Sequence, residues 1–402
     1  MEFVYTERAH LMCPRMYFGI VSTVNEIYNE KKIKESIDTL CEAHPFLKAL
    51  LGYGPKTNLY FYRITEDPKV ELILTQKEAD SDEILQTYEK LTSREWNLFE
   101  EGMLKVVAWK KGEQTVFLLV FNHLLADGRG ALGLTYELAE RFAYEYWPQI
   151  APERLISPQY QFREDAKMPW LSQTLVNNAN QDWMYEDRKP LSYEEYREIA
   201  NRFLAKDQVK YSIREIDPKT VSEMLEGCHN HSVTMNDLLL AEMFLEEKTD
   251  KIIMAKDIRK EFDFIFPGSL GNYSTAFSVG VKLKPKDKFK LAKVVHRKVQ
   301  DIIQDPQRLY LVLQCYRELD PGLLDAAFPA AIGEFKSKAA TFIGKRFFGF
   351  ASPKGYSITN LGKLDCDCIE TAYFIPPASP AVKKTWGVLT VNGKMTICIS
   401  ER

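Results

Sequence analysis

The sequence predicts a mixed α/β protein built in two halves. Short apolar runs that are typical of strands alternate with longer amphipathic segments, and this alternation is the pattern of α/β proteins. The chain has 402 residues, which is more than one small core accommodates. Residues 147–200 are rich in proline, glutamine and charge and show little periodicity. We therefore expect a first domain over 1–150, a crossover over 151–205 and a second domain over 206–402.

The elements of the first half follow from local patterns. Residues 16–24 alternate loosely and predict a strand, and residues 30–51 predict an amphipathic helix because their apolar side chains recur at helical spacing. Two later apolar runs, separated by KKGEQ at 110–114, predict a β-hairpin. The other elements predicted here are strands over 69–75, 104–109 and 115–121 and helices over 81–92 and 131–146.

The same alternation resumes after the crossover. Residues 209–216 predict a strand, and residues 218–227 predict a helix. Thr234 offers an N-cap for the helix that the apolar run at 238–244 predicts. The later elements predicted in this half are strands over 252–255, 277–283, 356–358, 372–375, 386–391 and 394–400 and helices over 291–304 and 308–318.

The composition argues against several classes of protein. A net charge of −3 argues against a protein that binds the nucleic-acid backbone, because such proteins carry a basic excess. No apolar run reaches the roughly 18 residues of a membrane-spanning helix, and the charged first residues lack the apolar core of a signal peptide. The seven cysteines form no C-x-x-C pair, which indicates reduced thiols and no zinc site. We expect a soluble cytoplasmic protein without a metal.

One loop carries two competing signals. The segment FNHLLADGRGALG at 121–133 contains the G-x-G-x-x-G spacing of dinucleotide-binding loops, and it also contains His123 and Asp127 followed by glycine. A dinucleotide fingerprint begins at the very end of its strand and has an acidic residue about 20 positions later, on a second strand. Here several residues separate the strand from Gly128, and position 150 lies in the crossover. The sequence therefore favours the histidine signal.

The histidine signal predicts acid–base chemistry. A neutral imidazole titrates near neutral pH, so His123 can take a proton from a hydroxyl or an amine. Asp127 needs a partner, because an unpaired buried carboxylate is costly. Gly128 allows the backbone to pass close to a substrate. A surface turn with an isolated histidine is the alternative that the spacing alone leaves open.

The segments around this loop resemble one superfamily of acyltransferases. Its members include nonribosomal-peptide condensation domains, polyketide-associated acyltransferases, alcohol acetyltransferases, plant BAHD enzymes and chloramphenicol acetyltransferase, and they share H-x-x-x-D-G between a strand and a helix. Similar segments follow in the family's order and cover most of the chain: AHPFLK at 43–48, WNLF at 96–99, TMNDLLLA at 234–241, DIR at 257–259, LGN at 270–272 and ITNLG at 358–362. Two features depart from the pattern. Asn122 stands where condensation domains carry a first histidine, and the plant D-F-G-W-G motif is absent.

The resemblance implies a fold and a set of site residues. The fold would be two chloramphenicol-acetyltransferase-like α/β domains in a V-shaped pseudo-dimer with a central channel. His123 and Asp127 would be the catalytic residues: His123 would be the general base, and Asp127 would turn away from the channel and pair with Arg259. Gly128 and Arg259 would have structural roles at the site. The residues expected to bind substrate are Asn122, Asn272, Thr359 and Asn360.

The resemblance also implies an activity. An acyl group would move from a thioester, on coenzyme A or on a carrier-protein phosphopantetheine arm, to the hydroxyl or amine of a small-molecule acceptor, in natural-product or lipid-ester biosynthesis. The thioester is a substrate, so no bound cofactor is expected, and an acyl carrier protein is the partner that the second donor requires. One monomer is expected to form the site, without nucleic acid or a membrane span. A free-standing condensation-type enzyme with carrier-bound substrates and a non-catalytic binding module are the open alternatives.

Other polar residues are assigned no chemistry from the sequence. His44 is interpreted as a packing residue at a helix end, and His10 and His296 are interpreted as surface residues. The basic run at 284–290, with Lys251 upstream, is interpreted as a solvated face. Contact of this run with a coenzyme A phosphate or an acidic carrier protein is the alternative.

Overall fold

A computed structural model describes residues 2–150, 152–156, 165–186, 190–350 and 355–402 of the chain. The helices are α1 (Arg8–Leu11), α2 (Glu30–Ala43), α3 (Ser81–Thr92), α4 (Gly128–Tyr144), α5 (Trp170–Tyr185), α6 (Tyr193–Leu204), α7 (Pro218–His231), α8 (Met235–Glu246), α9 (Lys288–Ile303), α10 (Pro306–Leu309), α11 (Leu311–Glu318), α12 (Pro321–Ala331) and α13 (Lys338–Phe342). The strands are β1 (Glu2–Phe3), β2 (Tyr17–Val24), β3 (Ala49–Gly54), β4 (Leu59–Ile64), β5 (Glu71–Thr75), β6 (Leu104–Lys111), β7 (Gln114–Asn122), β8 (Lys210–Ile216), β9 (Lys251–Asp257), β10 (Ser274–Gly280), β11 (Gly355–Leu364), β12 (Ile369–Ile375), β13 (Val382–Val391) and β14 (Lys394–Glu401).

The first half is built on a mixed sheet with the strand order β12-β2-β7-β6-β5. β6 and β7 form the predicted hairpin, in which Lys111 pairs with Gln114 next to the turn. β7 is buried along almost its whole length, which agrees with the apolar run that predicted it. The same half of the chain also contains a smaller, three-stranded sheet with the order β1-β4-β3. Its helices α2 and α4 pack against each other.

The second half is built on a sheet with the order β10-β9-β11-β13-β14-β8. β11 runs parallel to both of its neighbours, and the other pairs are antiparallel. Helices α8 and α9 pack together, and Leu238, Leu240, Leu291 and Val295 are buried in a core separate from that of the first half. The core of the first sheet also contains buried residues from late in the chain, among them Leu323, Phe328 and Ile343, so the domain boundaries expected from the sequence stay a prediction.

One strand crosses the division that the sequence predicts at residue 206. β12, over Ile369–Ile375, pairs antiparallel with β2 and completes the sheet of the first half. All residues of β2 are buried, so without β12 this strand would leave an apolar edge with unpaired backbone groups. The two halves therefore share a sheet in addition to their facing surfaces.

The crossover contains helices that the sequence analysis did not predict. α5 and α6 lie within 151–205, where the periodicity was interpreted as a linker. α6 has a recognisable start, because Ser192 and Glu195 form a capping box in which each side chain bonds the other residue's backbone N–H. Its apolar residues Tyr196, Ile199 and Ala200 are buried. This signal was present in the sequence and was masked by the surrounding proline and charge.

Two predicted helices are shorter or broken in the structure. The helix predicted over 30–51 ends at Ala43, because Pro45 follows and the chain then passes through a short 3₁₀ turn into β3. The helix predicted over 308–318 is interrupted at Tyr310, whose backbone leaves the helical region between α10 and α11. Neither change moves a residue of the predicted site.

Candidate functional site

The predicted H-x-x-x-D-G loop lies between β7 and α4. β7 ends at Asn122 and α4 begins at Gly128, so residues 123–127 form a short connection at the sheet edge. Asp127 is the N-cap of α4, where its Oδ1 accepts from the backbone N–H groups of Arg129 at 3.0 Å and Gly130 at 2.9 Å. An aspartate at this position satisfies two helix donors that have no partner within the helix. Asp127 is therefore required by the local structure.

Asp127 also connects the two halves of the chain. Its Oδ1 accepts from Arg259 Nη2 at 2.7 Å, and its Oδ2 accepts from the backbone N–H of Tyr273 at 2.9 Å. Arg259 additionally contacts Asp257 and lies over the ring of Tyr273. The pairing that the resemblance implied is thus the geometry of the structure. Both oxygens of this buried carboxylate hold the loop in place, and the catalytic role expected for Asp127 stays a prediction.

His123 is held by Asn272, which the sequence analysis assigned to substrate binding. The His123 Nδ1 atom lies 2.9 Å from Asn272 Oδ1. The orientation of the amide follows from its other contacts, because its NH₂ group donates to the carbonyl oxygens of His123 and Leu124. The amide oxygen must then face the imidazole. Asn272 positions the histidine, and its expected contact with substrate stays a prediction.

This contact selects one tautomer of His123. An amide oxygen only accepts, so Nδ1 carries the proton and Nε2 has a free lone pair. Nε2 has no hydrogen-bond partner among the described residues. Burial lowers the pKa of His123, and a backbone hydrogen bond, the charge of Asp127 and the contact with Asn272 oppose this only in part. The ring is therefore neutral at pH 7 and able to accept a proton at Nε2.

The chain reaches this geometry through Gly271. Its φ of +142° lies in a region that favours glycine, and a Cβ there would collide with the Tyr273 ring. The Gly271 carbonyl accepts from the backbone N–H of Asp127. The next two residues then present Asn272 to the histidine and the Tyr273 N–H to the aspartate. The LGN segment noted in the sequence is thus the second wall of the loop.

Aromatic rings enclose His123 on two sides. Phe18 meets it edge-on, with centroids 5.1 Å apart, and His10 stacks on it at 4.5 Å with an interplanar angle of 20°. His10 was predicted to lie on the surface, and this is wrong. Its helix α1 is fixed by a buried pair in which Arg8 donates to Asp325 at 2.9 and 2.6 Å. Burial and the adjacent His123 both lower the pKa of His10, so both rings are neutral at pH 7.

A cavity of about 180 Å³ opens beside His123. Gly128, Thr359 and Asn360 line it, and the expected contact of Thr359 and Asn360 with substrate stays a prediction. A Cβ on Gly128 would collide with the side chain of Leu361, so the start of α4 packs closely on β11. Asn360 also holds a bulge of β11, because its amide oxygen accepts from the backbone N–H of Gly362.

Asn122 has a different place from the one expected. It is buried, and its amide oxygen accepts from the backbone N–H of Leu124 at 3.0 Å. This bond shapes the turn that follows β7, so the side chain is engaged with the loop. Within the described ranges, no three His, Cys, Asp or Glu side chains are grouped so as to hold a metal ion.

Comparisons with solved structures show what this fold is similar to. The epimerization domain from the third module of tyrocidine synthetase B matches with a TM-score of 0.59 and 13% identity, over 96% of this chain and 86% of that one. Polyketide synthase associated protein 5 from Mycobacterium tuberculosis matches with a TM-score of 0.59 and 13% identity, over 100% and 92%. The condensation domain from Monacolin K polyketide synthase matches with a TM-score of 0.59 and 11% identity, over 100% and 92%.

These similarities confirm the predicted fold. The chain has the two-part α/β architecture of these condensation and epimerization domains. No family model and no curated protein sequence matches the chain. In the described part of the chain, no helix combines the length and the apolar character needed to cross a bilayer.

Proposed function

We propose that the protein is an acyltransferase that moves an acyl group from a thioester to a hydroxyl or amine, with His123 as the general base. The observation that carries the proposal is the free Nε2 of a neutral His123, whose other nitrogen is fixed by Asn272 beside a cavity. The condensation-type fold supports acyl transfer as a class of reaction. A surface turn with an isolated histidine would not need such an anchor.

The proposed reaction balances without a cofactor. His123 Nε2 takes the proton of the acceptor O–H or N–H while that oxygen or nitrogen forms a bond to the thioester carbonyl carbon. The tetrahedral adduct then collapses, the C–S bond breaks, and the imidazolium returns its proton to the thiolate. The products are an ester or amide and a free thiol. No residue of the chain needs to carry the acyl group.

The start of α4 is the proposed site for the oxyanion. Gly128 lines the cavity beside His123, and α4 is a helix of 17 residues whose N-terminus carries a partial positive charge. Thr359, on the opposite wall, adds a hydroxyl donor. Asp127 occupies the N–H groups of Arg129 and Gly130, and Arg259 balances its charge, so the backbone N–H of Gly128 is the donor proposed for the oxyanion.

The thioester donor is coenzyme A or a carrier-protein phosphopantetheine arm. Two structures of the first condensation domain of the calcium-dependent antibiotic synthetase, which match this fold at 9% identity, contain substrate analogues. A carrier-dependent enzyme is therefore the second form of the proposal. A binding module on the same fold would retain the cavity and release no thiol.

Thiol release tests the proposal. Acyl-coenzyme A donors from acetyl to palmitoyl are supplied with mixed alcohols and amines to wild type, His123→Ala and the control His229→Ala, an exposed histidine of α7. We expect His123→Ala to lose about 10²–10⁴-fold in rate, the usual contribution of a general base, while its melting curve matches wild type. The control should keep full activity.

Two results would contradict the proposal in different ways. Full activity of His123→Ala would remove the general base. Absence of thiol release by wild type, from coenzyme A donors and from acylated carrier protein alike, would leave a binding module as the function of this fold.

A further inference from the structure

The largest cavity near the site lies behind His10 rather than beside His123. It has a volume of about 870 Å³, within the range of small-molecule sites, and His10 is part of its wall. His10 stacks on His123, which in turn lines the small cavity. The two cavities therefore meet at the stacked pair of rings, and the large one leads toward the proposed base from the side of α1.

The wall of this cavity is mostly apolar. It is formed by strands β9 and β10, helix α11 and the π-helical segment Ile343–Phe348, which follows α13. The aliphatic and aromatic side chains that the argument uses are Ile253, Phe277, Leu311, Val312, Phe348 and Phe350. Such a wall binds an alkyl or aryl group by removing apolar surface from water. It offers little to the amides of a pantetheine arm.

Three cations stand at the same cavity. Lys251 begins β9, Arg308 belongs to α10 and Arg346 lies on the π-helical segment, so they come from three separate elements. All three are exposed, which places them at the mouth. The described residues that line the cavity include no aspartate or glutamate. None of the three cations forms a salt bridge with a described residue.

The neighbouring basic residues show that pairing is the local rule. Lys284 bonds Asp250, and Lys288 bonds Glu242 at 2.9 Å. The basic run at 284–290, interpreted from the sequence as a solvated face, is thus partly neutralised by adjacent carboxylates. The cations at the cavity mouth lack this compensation. A group of unpaired cations above an apolar cavity attracts a ligand of opposite charge.

We propose that this cavity binds an amphipathic reactant with an alkyl or aryl body and one anionic group, a carboxylate or a phosphate. The body lies along the apolar wall toward His10, and the anion lies at the mouth among Lys251, Arg308 and Arg346. The role of this molecule as a reactant rests on the proposed acyl transfer, whereas its binding does not. The anion belongs to the reactant itself or to the phosphates of a coenzyme A donor.

Binding is tested with simple probes, each kept below its micelle concentration. Decyl phosphate, decanoate, 1-decanol and free coenzyme A are titrated into the full chain by calorimetry. We expect decyl phosphate and decanoate to bind about tenfold or more tightly than 1-decanol, because a charge-assisted contact is worth at least about one decade in affinity. Equal affinity of the alcohol and the anions would overturn the proposal.

Three variants locate the binding site. Arg308→Gln with Arg346→Gln should weaken decyl phosphate about tenfold or more and leave 1-decanol unchanged. Lys345→Gln is the matched control, because it removes the same charge one residue away from Arg346 and does not line the cavity. Ser278→Phe, which fills the cavity from β10, should weaken both probes. Wild-type affinity of the double variant for decyl phosphate would overturn the proposal.

Free coenzyme A identifies the source of the anion. If it competes with decyl phosphate and loses affinity in the double variant, the donor's phosphates occupy the mouth; if it does neither, the anion belongs to the reactant. The site and the proposed function fail separately. Anion binding without any thiol release would support the binding site and contradict the proposed acyl transfer. Thiol release without anion binding would support acyl transfer and contradict the binding site.

Discussion

Two histidines of this protein, the buried His44 and the half-buried His123, have opposite surroundings. His44 lies between two carboxylates, with Nε2 at 2.6 Å from Glu137 and Nδ1 at 2.8 Å from Glu153. Burial opposes its protonation, but these two hydrogen bonds outweigh burial and raise the pKa of His44 to about 9. His123 has a neutral amide as its partner, and burial lowers its pKa. One ring is a cation at pH 7, and the other is a neutral base.

The difference shows how the partner decides whether a histidine holds structure or accepts protons. Both rings act on the same loop, because Glu153 accepts from the backbone N–H of Leu270 while Asn272 bonds His123. The cationic ring of His44 holds Glu153, and Glu153 fixes the start of the loop at Leu270. The neutral ring uses the end of the loop as an anchor and keeps one nitrogen free.

The largest effect is expected from the charge pair beside this loop. Arg259→Ala would leave Asp127 buried and short of its cation, and should lower the free energy of unfolding by about 3–5 kcal/mol. Arg214→Ala is the control, because its pair with Glu246 is exposed and should cost less than about 1 kcal/mol. Urea unfolding measures both. Equal effects would show that position, rather than burial, sets the value of these pairs.

The second effect is a pH dependence from His44. Its folded-state pKa of about 9 lies above the ordinary value of roughly 6.5 in an unfolded chain. The stabilisation is therefore complete below about pH 6.5 and is lost as pH rises through 9, up to about 3 kcal/mol. Urea unfolding of wild type and His44→Gln across this range tests it. Curves that stay parallel with pH would contradict the cationic assignment.

The third effect converts one histidine environment toward the other. Asn272→Asp places a carboxylate against His123 Nδ1 and should raise the pKa of His123. The acidic limb of the kcat/KM profile should move up by about one pH unit or more, with roughly a tenfold loss at low pH. Asn272→Leu should lower the rate without this shift. If the acidic limb of the Asn272→Asp profile does not move, the partner of the histidine does not set its pKa, and the comparison with His44 fails.

The smallest effect concerns the stacked ring. His10→Phe keeps an aromatic face on His123, and kcat/KM should stay within about threefold of wild type. His10→Ala removes the face and should cost up to about tenfold, the upper range for an aromatic pair. If His10→Phe loses as much as His123→Ala, His10 takes part in proton transfer and the pair acts as one unit.

Local sequence was enough to place the loop and its aspartate. H-x-x-x-D-G specifies a histidine, a helix cap and a glycine in one short segment, and the resemblance supplied Arg259 as the distant partner of Asp127. Asn272 was found through the LGN segment, but its contact with His123 was not predicted, because no pattern shows which way an amide faces. His10 left no signal at all. Its stacking depends on α1, which Arg8 and Asp325 fix from opposite ends of the chain.

For the architecture, too, the local elements could be predicted from the sequence and the contacts between distant segments could not. Apolar patterns located the strands of the two larger sheets, since each reflects burial of its own residues, but the small sheet β1-β4-β3 was not predicted. The joining of β12 to the first sheet could not be read in this way, because strand order depends on contacts between distant segments. The capping box of Ser192 shows the converse case, in which a local signal existed and its surroundings concealed it.

The position of β12 has a consequence for the order of events during synthesis. β2 and β7 are complete once the ribosome has passed residue 122, yet the strand that closes their sheet ends at residue 375. At the usual rates of translation this interval lasts about 13 to 50 s. During this interval the apolar edge of β2 has no strand paired with it. We therefore expect the nascent first half to expose this edge until β12 is made, and separating the halves into two genes to prolong that exposure.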